Sequence, residues 1–115
     1  MINLERRIAI EREIVAALVE AALKDGYHLS VNNGGDENEI EHSCNKEAIL
    51  ATMFQTDDEI LILNKLPGRR SWVRLVYGNE GWTVLADYTV DLESLIRTLD
   101  PMVDKFCDEC EASLK

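Results

Sequence analysis

The sequence predicts an α+β domain: an antiparallel sheet of about four to five strands with helices packed on it, in the order α-β-β-α-β-β-β-α. Three observations carry this. Apolar residues recur at helical spacing near the N-terminus and again after residue 91. They alternate with period two from Tyr27 to Asn32. Two tryptophan-bearing apolar segments, Trp72 to Tyr77 and Trp82 to Tyr88, flank Gly78-Asn79-Glu80-Gly81, a turn with glycine at both ends.

From Leu4 to Leu23, Ile10, Ile14, Ala17, Leu18, Ala21 and Ala22 define one helix face. Glu5, Arg6, Arg7, Glu11, Arg12, Glu13 and Glu20 fill much of the remainder. Gly26 supplies a left-handed stop. Tyr27, Leu29 and Val31 then form the inward side of a half-buried strand, and Asn33-Gly34-Gly35-Asp36 a turn into a polar edge strand over 37 to 42. Ser43 or Asn45 caps a short helix in which Ile49 pairs with Met53 and Leu50 with Phe54, and Thr56-Asp57-Asp58 ends it. Ile60 to Leu63 reads as a central strand covered on both faces, and Pro67-Gly68 turns the chain into the tryptophan meander. Asp91 is placed to cap a helix carrying Leu92, Leu95, Ile96 and Leu99 on one face. Asp100-Pro101 interrupts it, so the C-terminus is one kinked helix or two short ones.

A chain of 115 residues is the size of one domain, 1–115, and its 46% hydrophobic and 30% charged residues suit a globular protein. No apolar stretch approaches the roughly 20 residues of a membrane span. The N-terminus lacks the pattern of a secretory leader, and three cysteines do not suggest a disulfide framework. The cytoplasm is therefore expected. With 22 acidic against 12 basic residues the net charge of −10 repels phosphates, which argues against direct nucleic-acid binding and for a protein partner with a basic surface.

Several constellations of residues bear on possible chemistry. Cys107 and Cys110 have metal-site spacing, and His42 and Cys44 would complete four zinc ligands. Both C-terminal cysteines nevertheless fall within a helical apolar period, where cysteine packs as a small hydrophobe, so neither metal nor cofactor is expected. Asp36, Glu37, Glu39 and Glu41 do not follow the ligand order of a calcium loop. Asp57-Asp58-Glu59 reads as a helix-to-strand junction. Asn33-Gly34-Gly35 lacks the lysine and hydroxyl of a phosphate loop, and no local nucleophile motif is present.

Charge segregation is more telling. Between Glu59 and Glu80 every ionised residue is basic: Lys65, Arg69, Arg70 and Arg74. Residues 36 to 47 hold five acids against one lysine, and residues 100 to 115 five against two. Two acidic surfaces thus flank a basic turn, a polarity that can orient a docked partner or a second copy in a homodimer. The candidate partner-binding residues are Asp36, Glu37, Glu39 and Glu41, with Asp104, Asp108 and Glu111 as the alternative face.

At Val76-Tyr77-Gly78-Asn79-Glu80-Gly81-Trp82 with Ala86-Asp87-Tyr88-Thr89, the chain resembles small uncharacterised acidic proteins of bacterial phages, plasmids and integrative elements. Ser30-Val31-Asn32-Asn33-Gly34-Gly35 and Ala48-Ile49-Leu50-Ala51-Thr52-Met53-Phe54 are similar to the same group, and the resemblance spans roughly residues 27 to 92. It implies an inhibitor of host defence, of the anti-CRISPR-like kind, and transfers no functional residue. The expected function is a non-catalytic protein-binding module that docks an acidic surface on a host defence or nucleic-acid-binding complex. An immunity protein, antitoxin or acidic chaperone for one partner is the alternative. A small enzyme ranks third, since it needs a pocket with convergent perturbed groups.

Overall fold

The computed structural model describes residues 4–35, 37–56, 58–65, 68–77, 84–102 and 104–105. Helix α1 (Leu4–Lys24) is followed by strands β1 (His28–Asn32) and β2 (Ile40–Ser43), helix α2 (Lys46–Ala51), strands β3 (Asp58–Lys65), β4 (Arg69–Val76) and β5 (Leu85–Tyr88), a single 3-10 turn (Val90–Leu92) and helix α3 (Glu93–Arg97). The strands form one sheet in the order β2-β1-β3-β4-β5, and every neighbouring pair is antiparallel. This is the α+β class and the element order expected from the sequence.

Helix α1 lies against the sheet through Ile10, Ile14, Val15, Leu18, Val19 and Ala22, all buried. The stripe is rotated from the expected one: Val15 and Val19 replace Ala17 and Ala21, which are only half-buried, and Glu11 is 3% exposed rather than solvated. The larger β-branched side chains remove more apolar surface from water per residue than alanine does, and they set the helix roll. The helix ends where Gly26 adopts φ +94°. The N–H of Gly26 donates to Leu23 O and that of Tyr27 to Ala22 O, closing the last turn as in a Schellman motif.

Alternation decides which side of each strand meets the helices. Leu29 and Val31 of β1, Leu61 and Leu63 of β3, and Val73 and Leu75 of β4 are fully buried in a cluster with α1, Ile49, Met53, Leu92, Ile96 and Leu99. The intervening residues form the opposite, open face. Strand β3 is central, as expected, but it is covered on one face only. Ile60 is 38% exposed, while Ile62 is shielded by lying between Ser30 and Trp72 in the register. Trp72 itself is 36% exposed on this face. The apolar run Ile60-Leu61-Ile62-Leu63 misled because lateral cover from sheet neighbours substitutes for a second helical layer.

Other expectations are corrected in detail. The second strand starts at Ile40, so Glu37 and Glu39 belong to the connection rather than to a strand. Strand β4 starts at Arg69, which puts the basic residues in the sheet. Asn45 caps α2, its side chain accepting from Ala48 N, and Ser43 Oγ accepts from Asn45 N. Helix α2 stops at Ala51, before Met53 and Phe54. Asp91 caps no helix. It sits inside the 3-10 turn, with Thr89 at the cap position, and reaches across to β4. Helical backbone resumes at 100–102 after α3, which makes the C-terminal region two pieces up to that point. The expected turn 78–81 and the start of its second strand at Trp82 lie outside the described residues.

Replacing Leu61 with alanine should lower stability by about 3 kcal/mol, the usual scale for deleting a buried leucine side chain. Ile60→Ala, one residue away on the open face, should cost under about 1 kcal/mol. Urea denaturation of the two variants checks this, and equal losses would contradict a sheet covered on one side.

Candidate functional site

Three groups of polar residues stand out, and they differ in whether any capacity to interact remains. The first is centred on Glu59, which is fully buried on the helix-covered side of β3, in phase with Leu61 and Leu63. Its Oε1 accepts from Phe54 N at 2.8 Å and from the Tyr77 hydroxyl at 2.7 Å. Its Oε2 accepts from Gln55 N at 2.9 Å and from Asn33 Nδ2. Two successive backbone N–H groups thus cradle one end of an anion, and side chains from two other segments close it. Phe54 takes φ +66° to present its N–H, and its ring packs on Tyr77 at 5.2 Å with the Arg12 guanidinium 5.0 Å from its centroid. A carboxylate offers about four lone-pair sites. All are occupied, so Glu59 has nothing left for a substrate or metal.

Burial pushes the Tyr77 phenol far above its ordinary range, and its bond to Glu59 and the negative charges of Glu59 and Glu11 add to the shift. Tyr77 therefore stays a donor. By local pattern alone Asp57-Asp58-Glu59 is a polar junction. The available signal was phase, since Glu59 continues the period-two row of Leu61 and Leu63.

The second group ties the 3-10 turn to β4. Asp91 Oδ2 accepts from Ser71 Oγ and, at 2.9 Å, from Arg69 Nε. The hydrogen bond from Ser71, aided by Arg69 and Thr89, pulls the Asp91 carboxyl down to about 2. On the open face Arg74 grips Asp58 with Nε and a terminal nitrogen, the closest approach being 2.6 Å, and this holds Asp58 below its ordinary value. Lys65 reaches Asp25 at 3.7 Å, and Lys46 reaches Glu20 at 3.1 Å. Much of the chain's positive charge is thus compensated internally.

The third group is the acidic connection between β1 and β2 together with Glu41 on the edge strand β2 itself. Glu37, Glu39 and Glu41 are exposed, and among the described residues no ion pair engages them. Glu41 only accepts from Asn38 Nδ2 at 3.4 Å. The turn is held from beneath: Asn32 Oδ1 accepts from Gly34 N, and Asn32 Nδ2 donates to Gly35 O and Asn38 Oδ1. Asp104 is exposed in the last helical stretch, while Asp36, Asp108 and Glu111 lie outside the described residues. So do Cys107 and Cys110. Cys44 is a free, exposed thiol, and no group of three metal-ligating side chains occurs among the described residues. No helix there is long and apolar enough to cross a membrane.

Two of the clefts are lined by described residues. One, of about 540 Å³, lies between α1 and α3 and is lined by Ala21, Lys24, Asp25, Ser94, Leu95 and Thr98. The other, of about 310 Å³, lies at the end of the sheet where β3 turns into β4.

Glu59→Gln keeps the shape but turns an acceptor edge into a donor facing donors, and should destabilise by about 3 kcal/mol. Tyr77→Phe should cost about half that. Chemical denaturation of both variants measures the difference. The Asp91 carboxyl is depressed in the folded chain, so its stabilisation is full above its unfolded value of 3.8 and is lost as pH falls toward about 2. Asp91→Asn should therefore flatten the acid limb of the stability curve in that window, leaving the profile above pH 5 parallel to that of the native chain.

No protein-family model matches the chain, and neither the curated proteins nor the solved structures contain a match to it.

Proposed function

We propose that this chain is a non-catalytic protein-binding module of mobile-element type. It acts in the cytoplasm by docking an acidic surface on a basic region of a host defence or nucleic-acid-binding complex. The observation that carries the reading is the contrast in compensation. Lys46, Lys65, Arg69, Arg74 and Arg97 each sit in an ion pair, whereas Glu37, Glu39 and Glu41, beside and on the edge strand β2, have no ion-pair partner among the described residues. Uncompensated rim charge of one sign steers association with a partner of the other sign. The net charge of −10 acts in the same direction at long range. The buried carboxylate that would otherwise suggest acid–base chemistry is already saturated. The resemblance of residues 27 to 92 to proteins of mobile elements supports the choice of partner class.

Reversing Glu37, Glu39 and Glu41 to lysine touches no buried contact and should leave the fold intact. The association rate with a partner captured from the host should fall at least tenfold, with little change in dissociation. Reversal of Asp104, Asp108 and Glu111 serves as the parallel variant. If that variant alone slows association, the C-terminal face is the interface. Unchanged rates in both, measured by surface plasmon resonance at two salt concentrations, would refute acidic docking.

A further inference from the structure

The cleft at the β3–β4 end has a composition opposite to that of the chain as a whole. Among the described residues, His28, His42, Asn64, Lys65, Gly68, Arg69 and Arg70 line it, so every described ionisable group in its wall is basic and no carboxylate is among them. Backbone register explains the gathering. His28, Asn64 and Arg70 are aligned across β1, β3 and β4, one row on the open face. His42 arrives by a different device. Leu29 pairs with Ser43 and Val31 with Ile40, so Glu41 and His42 together oppose the single residue Ser30. This is a β-bulge, a feature that re-aims side chains. His42 takes φ +47° within it, and its N–H donates to Ser30 Oγ, which is itself buried. A strained residue is thereby fixed beside His28 on the wall of the cleft.

Acidic neighbours leave the centre of this wall uncommitted. Asp25 at the end of α1 engages Lys65, and Asp91 engages Arg69, at the rim. Glu41 adjoins His42 but is exposed. Arg70 makes no ion pair among the described residues. The donors that remain come from three neighbouring strands and line one wall of the cleft. A phosphoryl group, with more acceptor oxygens and more negative charge than a carboxylate, can engage more of them at once. The volume of about 310 Å³ is at the lower end of small-molecule sites, which span roughly 300–1,000 Å³. We propose that the cleft binds a phosphoryl group, with Arg70, His28 and His42 as its donors.

The phosphoryl group could be free phosphate or belong to a nucleotide. Trp72, two residues beyond Arg70 on the same open face and about 7 Å along the strand, is exposed enough to stack a base. Titration of the whole chain with inorganic phosphate, acetate and adenosine 5′-monophosphate at fixed ionic strength, followed by amide chemical shifts, separates the cases. Saturable shifts are expected at residues 28, 42, 64, 65 and 68–70 with both phosphates and not with acetate. Arg70→Ala and the double variant His28→Ala/His42→Ala should each weaken binding at least tenfold while core resonances stay in place. If the nucleotide binds more tightly than phosphate and Trp72→Ala removes only that advantage, a nucleotide is the source. Equal affinities assign the site to free phosphate. Shifts that do not saturate, that appear equally with acetate, or that survive both substitutions overturn the proposal.

Discussion

The arrangement of the sheet relative to its connections depends on the saturated carboxylate of Glu59. A side chain of strand β3, fully buried among aliphatic residues, accepts hydrogen bonds from three separate segments: the turn after β1, the loop after α2, and the residue after β4. Burying an ionised carboxylate without partners is prohibitive, and burying it with every lone pair engaged converts that penalty into a geometric requirement. The loop after α2 must then bring two N–H groups to one spot, and Phe54 accepts a positive φ to do so. A hydrophobic residue at position 59 could fill the volume but would leave those N–H groups buried and unsatisfied. The carboxylate thus specifies one loop conformation rather than adding generic stability.

This arrangement also separates structure from recognition. On the covered side of the sheet the carboxylates are fully engaged, Glu59 by four donors and Asp91 by Ser71 and Arg69, while the buried Asn33 Oδ1 has no hydrogen-bond partner among the described residues. On the open side Arg74 pairs with Asp58, but Arg70 there and the carboxylates beside and on β2 have no ion-pair partner among the described residues. Glu37, Glu39 and Glu41 form one uncompensated patch, and Arg70 with the two histidines forms another of opposite sign at the far end of the same hairpin. Interaction capacity therefore lies where side chains are exposed to a partner on a backbone that is hydrogen-bonded in place. The turn network around Asn32 and the Ser30 hydrogen bond to the bulge supply that backbone.

The bulge joins the two patches. One extra residue on β2 lets an edge strand carry a carboxylate and an imidazole side by side, Glu41 and His42, opposite one serine. A regular strand would have sent one of the two toward the core. The bulge also interrupts the edge ladder, which discourages further strand pairing along β2.

Local pattern by itself determined the element order, the helix stop at Gly26, the restriction of the α2 cap to Ser43 or Asn45 and the exposure of the acidic hairpin. These depend on periodicity, turn chemistry and charge, all of which act over a few residues. It also determined which part of the chain is basic. Only the tertiary structure decided the rest, because the deciding contacts join residues far apart in sequence. The pairing of Glu59 with Asn33 and Tyr77 spans 26 and 18 residues, and that of Asp91 with Ser71 spans 20. Each polar residue concerned had an equally plausible local role, Asp91 as a helix cap and Glu59 as part of a solvated junction. The open face of β3 was hidden for a related reason: a run of four apolar residues has the same sequence whether its second face meets a helix or the side chains of neighbouring strands. The meeting of His28, His42 and Arg70 depends on strand order and on one bulge, and neither leaves a mark in any single segment of sequence.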